Sequence, residues 1–345
     1  MKRLWFILSI ILLSALPMKA GESAAAQSDS LDINSFIFGH VEDAYEWHIT
    51  TINDKPASIY LPVIVRSKTS GWHVFNSKHI CHGDTFEGFR LGQNGKVVEV
   101  MDDGTEVKPF DISITKNVLG LILNCIVLLL VILIPARWYR RHDATKEVPG
   151  GFTGAMEMLI CMIMDDIIKP CVGPDYKRYS PYLLTVFFFI FVNNLMGIVP
   201  FFPGGANITG NIAVTLCLAT FTFIAVNVFG NRHYWKDILW PDVPLPLKVP
   251  IPLMPLIEII GIFTKPFSLM IRLFANIVAG HIMILGVISV IFLTAEMGAA
   301  LNTGLSAIAI AFGIFMDILE LLVAFIQAYV FTMLSSVFIG LSRQH

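Results

Sequence analysis

Ser268, Arg272 and Asn276 stand four residues apart inside an apolar run from about Pro250 to Leu293. At about 100° per residue they form one polar stripe along a helix. Formal charge in that run is confined to Glu258, Lys265 and Arg272. Arginine keeps its proton at any relevant pH. Placing it at mid-bilayer costs roughly 3 kcal/mol on insertion scales. A guanidinium held there ordinarily faces a water-filled cavity or a partner carboxylate. An arginine near an interface can instead snorkel to the headgroups, but more than ten apolar residues follow Arg272 before the next charge. His281 comes nine positions after Arg272, on the opposite face and about 13.5 Å further along the axis.

A second apolar run, about Ala299 to Gly340, carries its own stripe. Asp317, Glu320 and Gln327 fall within about 80° of one another at helical pitch. Such groups can glue helices together or line an aqueous path. Two carboxylates in one lipid-buried stretch are costly for glue, which favours the path. If the two runs are antiparallel helices turning near Ala295 to Gly304, His281 and Glu320 come to one depth. A histidine beside a carboxylate can relay protons, and each lowers the cost of burying the other.

The whole chain fits a polytopic membrane protein. Its 345 residues are 55% hydrophobic and 14% charged, which excludes an ordinary soluble domain. The net charge of −2 speaks against a nucleic-acid partner. Of five cysteines, Cys125, Cys161, Cys171 and Cys217 lie in or beside apolar segments. Cys81 therefore has no disulfide partner in its own region. Residues 1 to about 20, with Lys2 and Arg3 before a short apolar core, read as a cleaved signal peptide.

Residues 21–116 are polar. Ser58–Arg66 and Phe89–Met101 alternate as strands do, and Asn94-Gly95 is a hairpin turn signal. A small β-containing extramembrane region is expected there. His73, His79, Cys81, His82 and Asp84 cluster in sequence, but H-x-C-H matches no standard zinc spacing, so no metal or cofactor is expected.

About five transmembrane helices follow, in an all-α membrane domain over 117–345. The first, about 117–135, ends at Pro135 before the basic R-W-Y-R-R-H of Arg137–His142, which marks the cytoplasmic side. Residues 152–169, broken by Glu157, Asp165 and Asp166, are too polar to span and suit an amphipathic interfacial helix. Helices at about 181–202 and 206–230 form a hairpin whose outer turn lacks Lys and Arg. Asn193 and Asn194 within it can bond helix to helix or line a channel. The runs 250–293 and 299–340 would each be about 60 Å long as helices, against a bilayer core of about 30 Å. Strong tilt answers that mismatch better than a hairpin, because the second run has no proline after residue 299.

The motif R-L-F-A-N-I-V-A-G-H at Arg272–His281, preceded by T-K-P-F-S, resembles subunit a of F-type ATP synthases over roughly Asn117 to the C-terminus. The resemblance implies a non-catalytic stator subunit with two offset proton half-channels facing a rotating c-ring. It implies that Arg272 is the essential charge separating them. Asn276 matches a nearby asparagine, Glu258 an acidic position by the cytoplasmic half-channel, and Gln327 a glutamine of the last helix. Ser268 belongs to the same stripe. Many bacterial relatives carry glutamate at the position of His281 and histidine at that of Glu320, and here the two are exchanged. Gly197 stands where some relatives carry an aspartate, a place Asp317 can take. The implied partners are the c-ring, the subunit b stalk, the remaining synthase subunits, the lipid bilayer and protons. The implied location is a bacterial inner membrane, with the N-terminal region periplasmic and the C-terminus cytoplasmic. A secondary transporter should show inverted repeats, and none is found. An intramembrane protease needs a nucleophile elbow or an H-E-x-x-H helix, and neither occurs. A passive channel subunit shares the polarity and differs by lacking the ring.

Overall fold

A computed structural model describes residues 43–52, 55–67, 70–81, 84–92, 94–101, 105–143, 147–199, 204–205, 208–228, 230–239, 253–294 and 299–343. The expected signal peptide, His82, the proline-dense 241–252 and the turn at 295–298 lie outside them. The chain divides into two compact units. One holds the described residues up to Ile122 with those of 197–206 and 282–317, and the other holds the rest.

In the first unit, eight strands make three small antiparallel sheets among the described residues. Strands β1 (Glu46–Ile52) and β2 (Lys55–Tyr60) pair as a hairpin. Strand β3 (Pro62–Arg66) lies between β4 (Trp72–Asn76) and β8 (Phe110–Asp111). Strand β6 (Val97–Val100) lies between β5 (Phe89–Leu91) and β7 (Glu106–Val107). The stretch expected as one strand over Ser58–Arg66 is two. Leu61 separates them, its amide donating to the Tyr45 carbonyl and its carbonyl accepting from the Ser77 amide. Gly95 takes φ +64° in the β5–β6 turn, the left-handed conformation that such turns need. Period-2 alternation sends Val63, Val65, Phe75, Phe89 and Val97 inward, around Tyr45 and Ile80. The histidines are engaged locally. His73 Nδ1 lies 2.7 Å from Glu87 Oε2, and His79 stacks on Phe86.

The Tyr45 hydroxyl donates to the Asp111 carboxylate. Burial, then that carboxylate, push the phenol well above its usual value of 10.0. A raised pKa means that the folded form holds the proton more tightly. This contribution is complete below about pH 10 and is lost as pH rises toward the folded value. Tyr45→Phe is expected to lower the domain's opening free energy by about 1 kcal/mol and to flatten its alkaline loss of stability. Hydrogen exchange at the Val63 and Val65 amides at neutral pH measures the first, and denaturant unfolding followed from about pH 10 upward measures the second.

Helix α1 (Lys116–Tyr139) grows directly out of these sheets. The Ile114 amide donates to the Pro62 carbonyl at 3.2 Å and the Lys116 amide to the Ala44 carbonyl at 2.8 Å. The Asn117 amide donates to Asp43 Oδ1 at 3.0 Å. Pro135 does not end α1, contrary to expectation. Proline's fixed φ suits a helix, and its missing N–H costs one bond, so the helix continues to Tyr139.

The second unit holds most of the bundle. Helix α2 (Gly151–Met162) passes through a π-helical turn (Ile163–Ile168) and a short α-helical turn (Lys169–Val172). Gly173, at φ +76°, breaks the run before Pro174. Helix α3 (Tyr176–Ile198) therefore begins five residues earlier than expected. Helix α4 (Ile212–Val228) begins later than expected, because Asn211 caps it by accepting the Ala213 amide on its side chain. A short helix, α5 (Arg232–Leu239), follows in the polar stretch after α4. Helices α6 (Leu253–Leu293) and α7 (Ala299–Arg343) run unbroken for 41 and 45 residues, about 62 and 68 Å. Among the described residues, four helical stretches are long and apolar enough to cross a membrane, and α4 is a shorter apolar helix of 17 residues. This is a polytopic, mainly helical membrane protein with an N-terminal β-rich region.

The bundle core gathers Leu183, Phe187 and Ile190 of α3, Leu269, Leu273 and Ile277 of α6, and Ala328 and Phe331 of α7. In lipid, such packing and interhelical hydrogen bonds hold helices together rather than expulsion from water. Asn124 donates to Asn193 Oδ1 at 3.1 Å, and Thr209 donates to Asn194 Oδ1 at 2.7 Å. Asn194 Nδ2 also donates to the Ala324 carbonyl of α7 at 3.4 Å, so both asparagines of α3 bond to another helix in this structure. Glycine at 340 lets α7 pass close to the chain at Cys171, where a Cβ would overlap the Cys171 carbonyl oxygen.

Candidate functional site

Leu269, Leu273 and Ile277 form the buried stripe of α6. Ser268, Arg272 and Asn276 each precede one of them, so their stripe lies about 100° around the helix. That rotation carries all three onto the exposed side. The same side is otherwise apolar, with Phe263, Phe267 and Ile271 exposed. Among the described residues, no carboxylate lies within ion-pair distance of Arg272. An open cleft of about 280 Å³ borders it, lined by Thr264, Lys265, Ser268, Leu269, Leu334 and Phe338.

Helix α7 supplies the other half of the site. Its Gln327 is buried and accepts a hydrogen bond from Asn276 Nδ2 at 2.9 Å. This bond ties the polar stripe to the core of the bundle one turn beyond Arg272. On the opposite face of α6, His281 Nδ1 lies 3.6 Å from Glu320 Oε1. Glu320 is only 6% exposed. The polar positions of α6 thus meet α7 in two places separated by about five residues. Asp317 does not share the burial of Glu320 and Gln327 and is exposed. Glu258 lies 3.8 Å from Lys265, two turns along α6, and both are partly exposed. The Lys265 ammonium also lies over the Phe338 ring at 5.8 Å. Nearby, Tyr234 has its phenol pushed up by burial and then by the Glu258 charge.

The residue motifs missed one contributor, Gly280. A Cβ there would stand 3.0 Å from Glu320 Oε1 and 3.3 Å from its Cδ. The carboxyl group therefore lies against the bare backbone of α6, beside His281. The signal available was the small pair Ala279-Gly280 in a run of larger side chains. Gly280→Val is expected to displace the carboxyl group at a cost of about 1–3 kcal/mol. The denaturation midpoint of the purified protein measures this cost, and an unchanged midpoint would show that the Glu320 carboxyl group does not lie against Gly280.

Three relatives are similar over two thirds of the chain or more. An ATP synthase subunit a of Chlorobium phaeobacteroides (strain DSM 266) is 44% identical over 242 residues, covering 68% of this chain and 67% of the relative. An ATP synthase subunit a 2 of Chlorobaculum tepidum is 38% identical over 321 residues, covering 90% and 79%. One of Chlorobium luteolum is 35% identical over 361 residues, covering 99% and 93%. Residues 36–116 match a family described only as a domain of unknown function. Residues 121–340, which include both meeting points of α6 with α7, match the family described as ATP synthase A chain. The chain belongs to that family, the subunit a of F-type ATP synthases.

Proposed function

We propose that this subunit forms two offset proton half-channels against a rotating ring of small helical subunits, with Arg272 between them. The reading rests on one observation above others. Arg272 carries a permanent charge on an exposed, otherwise apolar helix face and has no carboxylate partner among the described residues. An uncompensated guanidinium against lipid is costly, so its partner belongs to another subunit. A ring carboxylate passing Arg272 would be held ionised, because an adjacent opposite charge lowers a carboxyl pKa. Guanidinium also releases no proton, so protons cannot hop past it from one half-channel to the other.

The open cleft at Thr264, Ser268 and Arg272 suits the cytoplasmic half-channel, with Glu258 and Lys265 toward its mouth. The His281–Glu320 pair suits the channel from outside, and its place on the opposite face of α6 keeps the two paths apart. Asp317 would extend that second path. Strong tilt would fit helices of this length into the bilayer. The ring and the stator stalk are the partners, and the basic Arg137–His142 segment sets the cytoplasmic side.

Sided labelling tests the two paths. In membrane vesicles, Ser268→Cys should react with a charged, impermeant thiol reagent only from the cytoplasmic side. His281→Cys should react only from the outer side. Reaction of both positions from one side would mean a single vestibule and end the two-path reading.

A further inference from the structure

The β4-β3-β8 sheet has an apolar outer face where a water-exposed antiparallel sheet ordinarily has a polar one. Its inner face, Val63, Val65 and Phe75, is buried. On its outer face Trp72 is 55%, Val74 69%, Phe110 63% and Ile112 53% exposed. Register groups these side chains. Arg66 pairs with both Trp72 and Phe110, and Ile64 pairs with Val74. The Ile112 amide then donates to the Ile64 carbonyl. Trp72 and Phe110 meet edge to face at 6.5 Å, and the Arg66 guanidinium lies 5.7 Å from the Trp72 ring centroid. Asp111 points the other way and accepts from Tyr45, so the apolar face carries no acidic group from β8.

The place of this face in the unit identifies what covers it. Phe110, Ile112 and Ile114 alternate onto one side and lead, through the four residues 112–115, into α1 at Lys116. The hydrogen bonds from Ile114, Lys116 and Asn117 back to Pro62, Ala44 and Asp43 fix the sheet to the end of the spanning helix. Ile112 can be at most about 14 Å from Lys116 along the chain. The spanning helix continues the apolar surface with Val118 and Ile122 exposed. A tryptophan, a phenylalanine, aliphatic side chains and flanking Arg66 and Lys116 have the composition of a membrane-interface anchor. Arginine beside the ring also suits a lipid phosphate.

We propose that the outer face of the β4-β3-β8 sheet lies in the bilayer interface beside the outer end of α1, so that the N-terminal domain rests on lipid through Trp72, Val74, Phe110 and Ile112. Such docking buries an apolar face about 5–10 Å into the headgroup region. It also ties the domain to the membrane independently of the bundle.

The test uses the assembled complex, with the five native cysteines replaced, in vesicles of phosphatidylcholine and phosphatidylglycerol. A nitroxide is attached at Val74→Cys and, as a water-facing reference, at Glu106→Cys. Collision rates with dissolved oxygen and with a water-soluble nickel chelate are then compared. The oxygen-to-nickel ratio at Val74 should exceed that at Glu106 by at least about threefold. Adding Trp72→Ser and Phe110→Ser, both at exposed positions, should bring the ratio at Val74 down toward the reference while the complex stays assembled. Equal ratios at Val74 and Glu106 would mean that the face is in water. Protection from both reagents would mean that protein covers it, either another subunit or this chain's own N-terminal segment. Each of those two results overturns the proposal.

Discussion

Membranes carrying Arg272→Ala should make no detectable ATP from a proton gradient, while the complex assembles with its full set of subunits. The expectation follows from where the charge is. Arg272 lies on the exposed side of α6, so its removal creates no cavity in the core built on Leu269, Leu273 and Ile277. On the proposed function, what is lost is the charge offered to the ring. An adjacent cation lowers a carboxyl pKa by about 1–3 units, so the ratio of ionised to protonated forms of the passing carboxylate should fall by about 10- to 1,000-fold without it. Arg272→Lys should also fail. Lysine is a compact charge that gives up its proton when desolvated, and it cannot present a guanidinium's planar fork. ATP synthesis by energised vesicles, beside a subunit profile of the purified complex, separates loss of function from loss of assembly. Normal synthesis in either variant contradicts the role given to Arg272.

Removing either member of the His281–Glu320 pair should slow ATP-driven proton pumping strongly without letting protons leak. A positioned acid or base typically contributes about 10²- to 10⁴-fold, and water in the path would preserve part of the rate. His281→Ala and Glu320→Ala should therefore each pump at least about tenfold slower. The exchanged variant, His281→Glu with Glu320→His, should recover more activity than either half of the exchange alone. The 3.6 Å approach of Nδ1 to Oε1 requires the two groups only to face each other, which the exchange preserves. Pumping at parental rates in both single variants, or a double variant no better than its worse half, breaks the pairing.

The polar stripe was legible because helical pitch is rigid. Four-residue spacing fixed Ser268, Arg272 and Asn276 to one side, and nine residues fixed His281 to the other. The level of His281 and Glu320 followed from counting away from one turn. Exposure was less legible. Asp317 shares a stripe with Glu320 by pitch, yet it is exposed where Glu320 is buried, because burial depends on which neighbours a helix finds along its length. Helix ends were also poorly marked. Pro135 is a strong breaker signal, but it sits within α1. Gly173 and Asn211, which do set helix boundaries, act through backbone conformation and capping that hydropathy does not register. Gly280 was hidden for a different reason, since its meaning is the absence of an atom facing another helix. The apolar outer face of the β4-β3-β8 sheet appears only once register puts Trp72, Phe110 and Ile112 side by side.

On the proposed function, the Ser268–Arg272–Asn276 face meets the rotating ring. Disulfide trapping measures that contact. Ser268→Cys and Asn276→Cys are combined in turn with cysteines along the outer helix of the ring subunit, and the intact complex is oxidised. Leu130→Cys, exposed on α1, serves as the reference position. Cross-linked products between this subunit and the ring are expected from both stripe positions, with none from Leu130→Cys, and loss of ATP synthesis that returns on reduction. Absence of ring products from the stripe, or equal yields from Leu130→Cys, would contradict that contact.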